Sequence, residues 1–144
     1  MIYHQFIIWQ HDWLVKAYID SDVSDAVLIL EELRSVGADM DTMREAFDNL
    51  YGGNMNTGLT YTSPYHRETV MVVSRTSSAE EFFNTLVHEM CHCKTHICEY
   101  LGIDLVSEEA SYFIGGLARD LFPSVKHLLC EGCRNKITGF RCGH

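Results

Sequence analysis

An α+β chain is predicted, with a small, mostly antiparallel sheet packed on one long helix and further helices. Three observations predict it. Apolar residues recur at helical spacing over residues 24–36, 78–101 and 107–122. Short β-branched and aromatic runs occupy 2–19, 58–63 and 69–75. The resulting order is strand, helix, helix, strand, strand, long helix, helix.

Each element has a local reason. Residues 2–19 are rich in Ile, Trp, Tyr and Val, and His11-Asp12 in their middle suggests a hairpin or bend. In 24–36, Val27, Leu28, Leu30, Leu33 and Val36 mark an apolar helix face, and Gly37 stops it. Thr42 and Glu45 have capping-box spacing, which predicts a second helix over 42–51, ended by Gly52-Gly53. Two strands follow around a turn at Pro64, the second with Val70, Val72 and Val73. Ser78 and Glu81 open the long helix, and Gly102 closes it. Ser107 caps the last helix, with Pro123 as its limit.

Composition bounds the function. The chain of 144 residues fits one ordinary domain, and its apolar fraction of 47% suits a folded one. We divide it into a domain over 1–129 and a Cys-rich tail over 130–144. Lys plus Arg number 11 against 20 Asp plus Glu, a net charge of −9. That balance disfavours a nucleic acid partner, which requires clustered cations. No stretch approaches the roughly 18 apolar residues of a membrane span. Residues 1–10 lack a signal-peptide pattern, so a cytoplasmic location and reduced thiols are expected. The 8 His and 6 Cys call for an explanation, and no Cys precedes Cys91.

His88-Glu89-Met90-Cys91-His92 is an H-E-x-x-H pentad inside the long helix. Residues four apart lie one above the other on a helix, so both imidazoles can reach one Zn²⁺. The intervening Glu then stands where it can take a proton from water attacking a carbonyl. On a helical projection Thr85, His88, His92, Thr95, His96 and Glu99 share one stripe. Phe82, Phe83, Leu86, Met90, Ile97 and Leu101 take the opposite arc. The helix is therefore expected to bury one side and offer the other to a cleft.

A catalytic zinc wants a third protein ligand. His96 lies about 6 Å further along the axis than His92, and reads as a cleft or surface residue. Asp104 is a candidate after the Gly102 turn. Glu108 and Glu109, in the first turn of the next helix, are the better pair: a carboxylate from a second helix completes a His₂Glu site. Either also suits the positive end of a helix dipole.

On these residues the chain resembles zincin metallopeptidases of the gluzincin kind, with Glu as third ligand. It is similar above all to short metallopeptidase-like proteins of bacterial genomes and their phages. That likeness is carried by Asn56-Thr57-Gly58-Leu59-Thr60-Tyr61, residues 70–74 and 77–81, the pentad, and Glu108-Glu109 ahead of Tyr112 and Gly115. It is similar more distantly to ImmA/IrrE-type peptidases. The resemblance covers about residues 54–133 and implies a minimal zincin-like domain. It implies zinc at His88 and His92, Glu89 as general base, and Glu108 or Glu109 as third ligand. Tyr112 either helps to polarise the scissile carbonyl or packs. In such enzymes the strand before the active helix edges the cleft, here 69–75, where a peptide can add as a further strand.

In the tail, Cys130 and Cys133 form a C-x-x-C, followed by Cys142 and His144. The four are a candidate structural zinc site, with a dithiol or a packed Cys pair as the alternatives. Cys91 and Cys93 read as small apolar fillers. The leading function is a small zinc-dependent peptidase acting on a peptide or protein. The alternative is a non-catalytic zincin-like module of a phage or mobile element that binds a host protein. A third reading, a zinc-ribbon-like nucleic-acid contact, rests on Arg134, Lys136 and Arg141 alone.

Overall fold

The computed structural model describes residues 1–135. Strand β1 (Ile2–Ile8) passes through a 3-10 turn at Trp9–His11 into β2 (Trp13–Ser21). The reversal is completed by Asp12 at φ 51°, a left-handed conformation that Asp tolerates better than most residues. Helices α1 (Ala26–Ser35) and α2 (Met40–Tyr51) follow, then β3 (Gly58–Ser63) and β4 (Glu68–Ser74). The long helix α3 (Ala79–Leu101), α4 (Glu108–Val125), a 3-10 turn at Lys126–Leu129 and the short α5 (Glu131–Asn135) complete the described residues.

The strands form one sheet in the order β1-β2-β4-β3. Two of its pairings are antiparallel, and β2 runs parallel to β4 with Val15 opposite Thr69. The expected α+β class, with a mostly antiparallel sheet, describes this molecule. The sheet is covered on both faces, which the period-two alternation of its strands makes possible. Val15, Ala17 and Ile19 of β2, with Met71 and Val73 of β4, pack under α3 and α4. Tyr18, Val70, Val72 and Leu59 meet Ile29 and Leu33 of α1 and Ala46 and Leu50 of α2. Double burial explains the unbroken apolar run of residues 70–73 within β4.

Several boundaries differ from expectation for physical reasons. Helix α2 is capped by Asp39, whose side chain accepts from the Thr42 N–H, so it begins before Thr42. Helix α4 runs past Pro123 to Val125. Buried Leu121 and Val125 on either side of the proline hold that last turn against the core. Strand β4 is interior to the sheet, and β3 forms the edge beside α3. The expected cleft edge at 69–75 is thus replaced by Gly58–Ser63. Among the described residues no helix is long and apolar enough to cross a membrane.

Candidate metal and hydrolytic site

Helix α3 is fixed by its caps. Ser78 accepts from the Glu81 N–H at 3.1 Å, and Gly102 ends the helix at φ 73°, where a side chain would be strained. Its buried arc is shifted toward the histidine stripe. Thr85 and Glu89 are buried with Phe82, Leu86, Met90, Cys93 and Ile97, whereas Phe83 is 58% exposed. Phe83 therefore leaves the apolar arc expected of it. Cys93 and Cys98 are buried and Cys91 is exposed, so the filler reading holds for Cys93 and fails for Cys91.

His88 and His92 stand exposed, with their Nε2 atoms 3.1 Å apart and both turned to one locus. Two nitrogens on a tetrahedral zinc, each bonded at about 2.0–2.1 Å, are separated by about 3.3–3.4 Å. The pair is therefore spaced within a few tenths of an ångström of what a shared metal requires. The pair supplies two of the nitrogen donors that zinc takes, at a fitting spacing, and no third ligand stands beside it among the described residues.

Glu89 reaches toward β3 and is only 3% exposed. The Thr60 hydroxyl donates to its Oε2 at 2.5 Å. Burial pushes the Glu89 carboxyl above its ordinary range, while that hydrogen bond and the neighbouring His92 and His88 pull it down and Glu45 adds to the rise. Gly58 makes room for it: a Cβ there would lie 2.6 Å from Glu89 Cγ and 2.7 Å from Oε1. These residues share a pocket of about 240 Å³ with His96, Thr42 and Glu45. Alternation along β3 aims Gly58, Thr60 and Thr62 at α3. Thr62 Oγ1 lies 3.1 Å from His96 Nδ1 and 3.0 Å from Thr69 Oγ1, which accepts from Trp13 Nε1 at 3.0 Å. Burial depresses His96, with His92 acting in the same sense. Burial also pushes the Cys93 thiol up to about 12, against a hydrogen bond with Thr69.

The sequence-predicted residues divide. His88, Glu89 and His92 come together, and His96 joins them as a residue of the cleft. Glu108 and Glu109 are exposed in the first turn of α4 and do not line this pocket. Glu109 instead lines a second cleft of about 790 Å³ with Trp9, His11, Tyr112, Phe113 and Arg119. Tyr112, 78% exposed, belongs to that cleft and stands apart from the histidine pair. The reason is topological: α4 packs over β1, at the opposite edge of the sheet from β3. Asp104 forms its own turn, accepting from the Val106 N–H. Among the described residues no group of three or more His, Cys, Asp or Glu side chains is arranged to hold a metal.

Sequence reasoning gave no place in the site to Glu45, Gly58, Thr60 and Thr62, although Gly58 and Thr60 stand among the residues that carry the likeness. The alternation of Gly58, Thr60 and Thr62 was the available signal, since it places all three on one face of a predicted strand. In the tail, Cys133 Sγ lies 3.4 Å from His127 Nδ1. Nitrogen and sulfur on one tetrahedral zinc are separated by about 3.6 Å. Cys142 and His144 lie outside the described residues. Compared with protein-family models, with curated proteins and with solved structures, the chain gives no match.

Proposed function

We propose that the chain is a small zinc-dependent peptidase. The observation that carries the reading is His88 and His92 at metal-bridging separation, beside a buried Glu89 held by Thr60. Zinc, when bound by His88 and His92, would polarise the scissile carbonyl and make water a better nucleophile. Glu89 is the general base. Thr60 occupies its Oε2, which leaves Oε1 free to take the proton of the attacking water and return it to the departing amine. The edge of β3, which no other strand pairs among the described residues, runs alongside, and an extended peptide can hydrogen-bond to it as a fifth strand.

The test is Glu89→Gln. The variant keeps its bound zinc while hydrolysis of casein peptides falls by about 10²–10⁴-fold, the usual worth of a general base. Undiminished hydrolysis would sink the mechanism. An inactive wild type whose biological effect survives in Glu89→Gln points instead to the non-catalytic binding module.

The resemblance supplies the third ligand from α4, as Glu108 or Glu109. Zinc content of Glu108→Ala, Glu109→Ala and Glu45→Ala checks that assignment. Binding is expected to fall in one of the α4 variants, which requires the first turn of α4 to approach the histidines when metal binds. Loss confined to Glu45→Ala would move the ligand to α2, whose Glu45 already lines the pocket.

A further inference from the structure

A chain of hydrogen bonds runs from the core of the protein to the rim of the histidine pocket. Trp13 Nε1, Thr69 Oγ1, Thr62 Oγ1 and His96 Nδ1 follow one another at 3.0, 3.0 and 3.1 Å. Trp13 and Thr69 are fully buried, so solvent does not interrupt the chain at that end. The polarity of its first link is fixed, and that of the other two follows from where the Thr69 proton goes. An indole N–H donates and never accepts, so the Thr69 oxygen must accept from Trp13. Each hydroxyl has one proton to give. If Thr69 gives its proton to Thr62, Thr62 gives its own to His96 Nδ1, and every link is satisfied. Nδ1 is then an acceptor, and the proton of the neutral imidazole sits on Nε2. The same ring lines the pocket of His88, Glu89 and His92, and its centroid is 5.9 Å from that of His92.

We propose that His96 is a catalytic residue: its Nε2–H donates a hydrogen bond to the scissile carbonyl oxygen as negative charge develops there. The proposal rests on reading the pocket as a hydrolytic site. The electron balance is that of plain hydrolysis. Water oxygen bonds to the carbonyl carbon, and the C=O π pair moves onto oxygen. Glu89 takes the water proton, then the C–N bond breaks and that proton leaves with the amine. His96 transfers no proton; it stabilises the oxyanion, a role for which a neutral imidazole is suited. Thr62 is a positioning residue that sets the tautomer. This is the role the sequence offered to Tyr112, which lies in the other cleft.

Long-range ¹H–¹⁵N correlation spectra of the full chain at neutral pH, with and without zinc, read the tautomer directly. His96 is expected as Nε2–H, and Thr62→Val is expected to release it to a mixture. A quenched-fluorescence peptide built on a casein site that the wild type cuts supplies the kinetics. His96→Phe keeps its zinc, lowers kcat by about 10–10³-fold with little change in KM, and weakens a phosphonate analogue of that peptide in parallel. Zinc loss in His96→Phe, or an Nδ1–H tautomer in an active wild type, overturns the role of His96 alone. A zinc-loaded wild type that cuts no peptide overturns the hydrolytic reading, and the catalytic role of His96 with it, whatever the tautomer.

Discussion

Glu89 is held by contacts that lie far from it in sequence. The Thr60 hydroxyl is 29 residues away, and the space for its side chain is left by Gly58. Gly58 needs no unusual backbone, so its lack of a side chain is the whole of its role at this position. An Ala there would put its Cβ under 3 Å from three atoms of the Glu89 side chain. The carboxylate must yield, because β3 is anchored in the sheet by β4. Gly58→Ala is therefore expected to leave the fold and the zinc content intact and to lower hydrolysis at least tenfold. Activity equal to wild type would show that Glu89 has room to spare. The pentad itself was legible because its four-residue spacing is local to one helix. The residues that hold Glu89 were not, because cross-strand contacts leave no local period to read.

At the scale of elements, helices were read more securely than sheet partners. Ser78, Gly102 and Ser107 do what their types predict, since a cap depends on its own neighbours. The parallel pairing of β2 with β4 could not be read, because it depends on a crossover through α1, α2 and β3. That pairing also builds an ionic cluster on the α1 side. Lys16 of β2 meets Glu32 of α1 and Glu68 of β4, each at 2.5 Å. All three are about four-fifths buried or more. Lys16→Met leaves two carboxylates facing each other and is expected to cost about 2–3 kcal/mol in urea unfolding at neutral pH. A change under 1 kcal/mol would mean that water replaces the lysine without penalty.

The same cluster sets an alkaline limit. Burial works to lower Lys16, but its hydrogen bonds with Glu32 and Glu68 outweigh it and hold the ammonium above its ordinary value. Burial raises the Tyr18 hydroxyl, and Glu32 adds to the rise. Both folded-state values exceed the unfolded ones of about 10. Their stabilisation is therefore complete below about pH 10 and is lost as pH climbs through the folded values. The urea midpoint should stay level from about pH 7 to 9 and fall above about pH 10, with a smaller fall in Tyr18→Phe. An equal fall in both proteins would remove Tyr18 from the account.

At the scale of the whole molecule, the end of the described chain returns to the start of α3. Arg134 donates to the Thr76 carbonyl at 2.6 Å, and Glu131 accepts from the Ala79 N–H. The turn that carries His127 packs Leu128 and Leu129 against the same core as Met90 and Ile97. A metal held by Cys130 and Cys133, with His127 or with Cys142 and His144, would tie this closing segment to the helix that bears the pentad. Its role would then be structural, because it stands apart from the pocket of Glu89. If both candidate sites load, elemental analysis reads two zinc ions per chain, and the two should separate by mutation. His88→Ala with His92→Ala removes one ion, and the metal-free variant keeps the urea midpoint of the metal-free wild type, since both side chains are exposed. Cys130→Ser with Cys133→Ser removes the other and lowers the midpoint, because binding energy at a structural site is folding energy. One zinc in the wild type, unaffected by the cysteine changes, would leave the tail as packed thiols. Loss of both ions from the cysteine variant would instead make the pentad's metal depend on the closure of the chain over α3.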